Sequence, residues 1–158
     1  MDAMSGADHL HAVLFTLRPL QTSTAKVLGE VTAEIGLSLP ERAIMEVLNA
    51  TGESTVPQIG RSLLLPRQVV QRLADAVHDR GLIEFVPNPA HRRSRLLRLS
   101  TAGRELFDQI LIQEMRLLEP VAETLDPRDV EACARVMTAL NAAMHTMAQQ
   151  LGDADQTE

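Results

Sequence analysis

The side chains best suited to chemistry in this sequence are His91, Arg92, Arg93 and Arg95 in one short segment, and Arg67, Gln68, Gln71 and Arg72 upstream of it. The chemistry they offer is recognition. A guanidinium pairs with phosphate and, in bidentate fashion, with guanine, while the carboxamide of Gln matches the edge of adenine. From residue 61 to residue 98 there are eight Arg, no Lys and three acids, a local charge of +5 in a chain whose net charge is −6, so the remaining residues carry −11. An acidic protein with one basic segment is built to meet a polyanion at one place.

These residues need elements to position them. At 158 residues the chain holds one domain with helical extensions. Aromatics are 2 % of it, without Trp or Tyr, which favours helix over sheet. Residues 8 to 36 carry apolar positions Val13, Leu17, Leu20, Val27, Val31 and Ile35 at near-helical steps, and Pro19 predicts a kink or two helices in tandem. Ser38 with Glu41 has capping-box spacing, with Pro40 in the first turn, and opens a helix over 39–50 that buries Ile44, Val47 and Leu48. Thr51 to Ser54 stops it, and Thr55 with Gln58 repeats the capping box before a short helix carrying Ile59 and Leu63.

After Leu64-Leu65-Pro66 a third helix runs to Arg80, with Val69, Val70, Leu73 and Val77 inward and Gly81 as its stop. That stripe leaves Arg67, Gln68, Gln71 and Arg72 outward. The period then changes toward two, predicting strands near 82–86 and 94–99 joined by a turn at Asn88, Pro89 and Ala90. Ser100 caps a helix over 101 to about 118 with the stripe Phe107, Ile110, Leu111, Met115 and Leu118. Pro120 and Asp126-Pro127 precede a last helix of about 22 residues. Its seam is Val130, Cys133, Met137, Leu140, Met144, Met147 and Leu151, at alternating steps of three and four, the narrow stripe of helix-on-helix packing. The expected fold is mainly α with a small β-hairpin wing, a winged helix-turn-helix flanked by N- and C-terminal dimerisation helices. Its expected parts are a dimerisation region over 1–37, the DNA-binding lobe over 38–100, dimerisation helices over 101–152 and an acidic tail over 153–158.

Other chemistries find less support. No nucleophile elbow, paired-carboxylate arrangement, metal motif or glycine-rich phosphate loop is present, so neither an enzyme nor a cofactor is expected. His9, His11 and His145 lack a ligand partner four residues away on a helix. Cys133 is the only cysteine, which excludes an intrachain disulfide and a Cys-based zinc cluster. Its place on the apolar seam points to inert packing, with a redox-responsive regulator as the alternative. A winged-helix protein-interaction module is a further alternative, disfavoured because the outward face carries Arg and Gln instead of exposed aromatics. No apolar run reaches the roughly 18 residues of a membrane span, and Met1 to Ala7 lacks a signal-peptide pattern, so a cytoplasmic protein without membrane contact is expected.

Several of these motifs together resemble the MarR family of bacterial transcriptional regulators over 37–107. Leu39-Pro40-Glu41-Arg42-Ala43-Ile44 is similar to the family's second-helix opening. Val70-Gln71-Arg72-Leu73 with Arg80-Gly81-Leu82-Ile83 is similar to its recognition helix and exit. Asn88-Pro89-Ala90-His91-Arg92-Arg93-Ser94 and Leu99-Ser100-Thr101-Ala102-Gly103-Arg104 are similar to its wing and the following turn. The resemblance implies a homodimer on double-stranded DNA, acting as a repressor, and a small apolar or aromatic effector bound between the dimer helices and the DNA-binding lobe. Dimer contacts are expected from Val13, Leu17, Leu20, Val130, Met137, Leu140, Met144 and Met147. Two positions depart from the pattern. The wing Asp is replaced by His91, with Arg93 at the Arg position; His91 either substitutes as a hydrogen-bonding partner or, protonated on mild acidification, adds charge that raises DNA affinity. Pro66 stands where a polar cap often opens the recognition helix, and a proline supplies no side-chain cap there.

Overall fold

The capping signals set the helix starts. In the structure, a computed structural model that describes residues 5–91 and 94–154, Ser38 Oγ accepts from the Glu41 amide while the Glu41 carboxylate accepts from the Ser38 amide at 2.7 Å. This box opens α2 (Leu39–Thr51). Thr55 and Gln58 make the same reciprocal pair at the start of α3 (Val56–Leu63). Before them lies α1 (Gly6–Glu34), capped by Ser5 and Asp8. After them come α4 (Arg67–Asp79), α5 (Thr101–Ala122) and α6 (Pro127–Ala154).

Three strands complete the fold: β1 (Glu53–Thr55), β2 (Ile83–Val86) and β3 (Leu96–Leu99), antiparallel in the order β1-β3-β2. Leu97 and Leu99 of β3 are buried and Arg98 between them is exposed, the alternation of a half-buried strand. Arg98 lies opposite Glu53 on one side and Glu84 on the other, with ion-pair distances of 3.7 and 3.0 Å. All three side chains are about half exposed, so this triad sets register more than it adds stability.

The chain divides into two compact units, one ending at Glu114 and one starting at Met115. The first is built on a core in which Ile44, Met45, Leu48, Ile59, Val70, Val77, Leu97, Phe107 and Ile110 are essentially inaccessible. Gly103, near the start of α5, is required there because a Cβ would fall on the Leu82 carbonyl. Ser100 closes the same junction: its Oγ donates to the Gly81 carbonyl at 2.6 Å and accepts from the Gly103 amide at 2.9 Å. Arg42 of α2 joins α5 in this unit, with Nε and Nη2 donating to the two carboxylate oxygens of Glu114 at 2.8 Å each, and Nη1 donating to Glu46 at 2.7 Å. Burial works against the Arg42 charge, but the Glu114 hydrogen bonds and charge, with those of Glu46, outweigh it and raise its pKa above the ordinary arginine value.

Two expectations need correction, and one is completed by an added strand. Pro19 lies inside one continuous α1 instead of dividing a tandem pair. The removed donor is tolerated because Phe15, Arg18 and Pro19 are all exposed, so solvent reaches the freed carbonyl. Pro120 likewise lies inside α5, which runs past 118 to Ala122, and α6 is 28 residues long instead of about 22. The β2–β3 hairpin of the wing is present as expected, and β1, which was not expected, pairs with β3 to complete a three-stranded sheet. Met115 and Leu118 of the α5 stripe, and Cys133, Met144 and Met147 of the α6 seam, are exposed on the chain taken by itself.

Candidate nucleic-acid interface

The turn between α3 and α4 presents the outward face of α4. Leu64 adopts the left-handed conformation at φ 52°, and the Leu65 amide returns to the Gly60 carbonyl at 2.9 Å. A Cβ on Gly60 would lie 2.9 Å from the Leu65 carbonyl oxygen, so the tightness of this turn depends on glycine there. Pro66 occupies the N-cap of α4 without a side-chain cap, and its carbonyl accepts from the Val69 and Val70 amides. Val70, Ala74 and Val77 then anchor α4 in the core, with Val69 and Leu73 half-buried.

The opposite face of α4 carries Arg67, Gln68 and Arg72, all exposed, and Gln71, half-buried. With Asp75 these four line one open surface depression. A second depression lies between α4 and the wing, where Arg67, Gln71 and Asp75 face Phe85, Ser94 and Arg95. The sequence-predicted residues of α4 and Arg95 are therefore brought to one surface. His91 is exposed at the turn between β2 and β3, where its backbone amide donates to the Asn88 carbonyl. Arg92 and Arg93 lie outside the described residues.

The arginines differ in what holds them. Arg95 folds back onto β2: Nη2 donates to the Phe85 carbonyl at 2.9 Å and its guanidinium sits 4.8 Å from the centre of the Phe85 ring. Phe85 in turn meets His78 edge to face, and His78 Nδ1 donates to the Ile83 carbonyl at 2.9 Å. Arg80 is bound to the end of α1, donating to the carbonyls of Gly36 and Ile35 at 2.6 and 2.8 Å. Among the described residues no acid pairs with Arg67 or Arg72. Their guanidinium groups remain available to an external anion.

Sequence reasoning missed Asp75, which accepts from Gln71 Nε2 at 2.8 Å. Its signal was available, since a Gln and an Asp four residues apart on a helix are neighbours. The Arg42–Glu114 pair carried no local signal, because its members are 72 positions apart.

Over most of its length the chain is similar to a solved MarR family transcription regulator, SP03579: 30% identity, a TM-score of 0.75, and coverage of 90% of this chain and 95% of that one. The chain belongs to the MarR family. The MarR family model itself matches residues 35–94, the segment from the end of α1 into the wing. An uncharacterized protein of Mycobacterium tuberculosis is 37% identical over 92 residues, 56% of this chain, and the chain spans only 64% of that relative's length. The fold also matches a mutant of E. coli MarR complexed with operator DNA, at 14% identity and a TM-score of 0.69, covering 87% of this chain and 99% of that one. The winged helix fold of MarR regulators is thus that of this protein. Among its described residues no helix is long and apolar enough to cross a membrane.

Proposed function

We propose that this MarR-family protein is a non-enzymatic transcriptional regulator, a repressor that binds a pseudo-palindromic site on double-stranded DNA as a homodimer. The observation that carries this is that, among the described residues, no acid pairs with Arg67 or Arg72, which stand beside Gln68 and Gln71 on one helix face in a chain that is acidic elsewhere. A helix of this width fits the major groove, and the basic wing is suited to an adjacent minor groove or the backbone. Support from outside the chain comes from the E. coli relative, which was crystallised with operator DNA.

The homodimer is supported by apolar residues left exposed on α1, Val13 and Leu20 among them, and separately on α6, where Val130, Met144 and Met147 are about half exposed. Leu17, Met137 and Leu140 are half-buried along the same stripes. Residues 1–37 and 101–152 are the proposed dimerisation regions and 38–100 the DNA-binding lobe. Two-fold symmetry places the recognition helices on half-sites roughly 10 bp apart, centre to centre. A small apolar or aromatic effector acts, in this proposal, by binding unequally to dimer geometries that do and do not match that spacing.

Selection of bound duplexes from a random pool, followed by titration across salt concentrations, tests the proposal. A recovered palindromic site bound with steep salt dependence is the expected result. Absence of binding to every duplex at low salt overturns it and favours the protein-interaction alternative.

A further inference from the structure

Gln71 and Asp75 sit one helical turn apart on α4, and with Arg67 they line both the depression on the helix face and the one beside the wing. Gln71 Nε2 donates to Asp75 Oδ1 at 2.8 Å. A carboxylate only accepts, so the nitrogen end of the amide must face Asp75 and Oε1 must turn away. Arg67, Arg72 and Arg95 line the same depressions, yet among the described residues none of them forms an ion pair with Asp75. Among the described residues that line the two depressions Asp75 is the one acid, and it is bonded to a neutral side chain.

The geometry points to Asp75 as a positioning residue for base specificity. It holds the Gln71 carboxamide in one of its two flipped orientations. One Nε2 hydrogen goes to Asp75; the other, with Oε1, is left as a donor–acceptor couple of the kind that matches N7 and N6 of adenine. A Gln without this partner presents donor and acceptor in either order and discriminates less among base edges. The Asp75 carboxylate is exposed and negative, so it also opposes phosphate approach for any sequence. The two effects have opposite signs: weaker binding to duplex DNA in general, sharper choice at one base pair. This role rests on the DNA-binding function proposed above.

The test uses the full chain, the duplex selected by the wild-type protein, its single-base-pair variants, and a random-sequence duplex. Gln71→Ala identifies the base pair that Gln71 reads. At that pair Asp75→Ala is expected to lose discrimination by about five- to tenfold, while binding the random duplex more tightly than wild type does. Adding Gln71→Ala to Asp75→Ala is expected to cause no further loss at that pair than Gln71→Ala alone. A uniform shift on every duplex, or losses that add in the double variant, overturns the positioning role while leaving DNA binding intact. A wild-type chain that binds no duplex overturns the proposed function and this role with it.

Discussion

Among the described residues Arg67 and Arg72 differ from Arg80, Arg95 and Arg98 of the same basic region in having no protein acceptor or ring to hold them, so their guanidinium groups are free for an external partner, while Arg95, though held on Phe85, still lines the depression beside the wing. Arg72→Ala is expected to weaken operator binding by about 1 to 3 kcal/mol, with relaxed sequence preference if it reads a base; Arg98→Ala, which breaks a cross-strand triad instead, should leave operator affinity near wild type in the same anisotropy titration. Gly103 carries stability at this scale. Gly103→Ala adds a methyl group where the Leu82 carbonyl already lies, and thermal unfolding should show a loss of about 1 to 3 kcal/mol from overpacking. Helix propensity favours Ala by only about 1 kcal/mol and offsets part of that. Composition and spacing were enough to point to the outward face of α4. They could not sort the arginines, because whether a guanidinium is free depends on which carbonyls, acids and rings the fold brings to it.

Elements were legible where their signals are local. The capping boxes at Ser38 and Thr55, the stop at Gly81 with φ 73°, and the Ser100 cap all depend on residues within three or four positions of one another. β1 was not legible: three residues show no period, and their strand character comes from pairing with β3 more than forty positions away. Pro19 was read as a kink or a division into two helices and Pro120 as punctuation, yet both stand within continuous helices. The tie between α2 and α5 makes an asymmetric prediction. Arg42 and Glu114 have side-chain exposures of 12% and 8%, so Arg42→Met strands a buried carboxylate and should destabilise by about 3 to 5 kcal/mol in urea unfolding. Glu114→Leu alone should be milder, because Arg42 keeps Glu46. The double variant should recover most of the Arg42→Met loss, as paired removal of a buried ion pair leaves no orphaned charge.

At the scale of the whole molecule, the apolar residues exposed on α1 and α6 are the strongest sign that the single chain is incomplete. Leu140→Glu places a charge in the α6 seam, and sedimentation should show loss of the proposed dimer, with operator affinity falling because two half-sites are no longer engaged together. In the wing, Arg93→Ala should weaken binding to all duplexes and lower the slope of log affinity against log salt by about one unit, the signature of one phosphate contact removed. The sequence by itself determined the order of helices, the basic segment and the polar face of α4, since periodicity, capping and net charge are properties of neighbouring residues. Only the tertiary structure decided which charges are used up in the fold, that a third strand completes the sheet, and that Asp75 bonds to Gln71 in preference to the arginines around it. Those outcomes depend on competition among partners in space: each donor takes the acceptor whose distance and burial suit it best, and spacing along the chain does not rank the candidates.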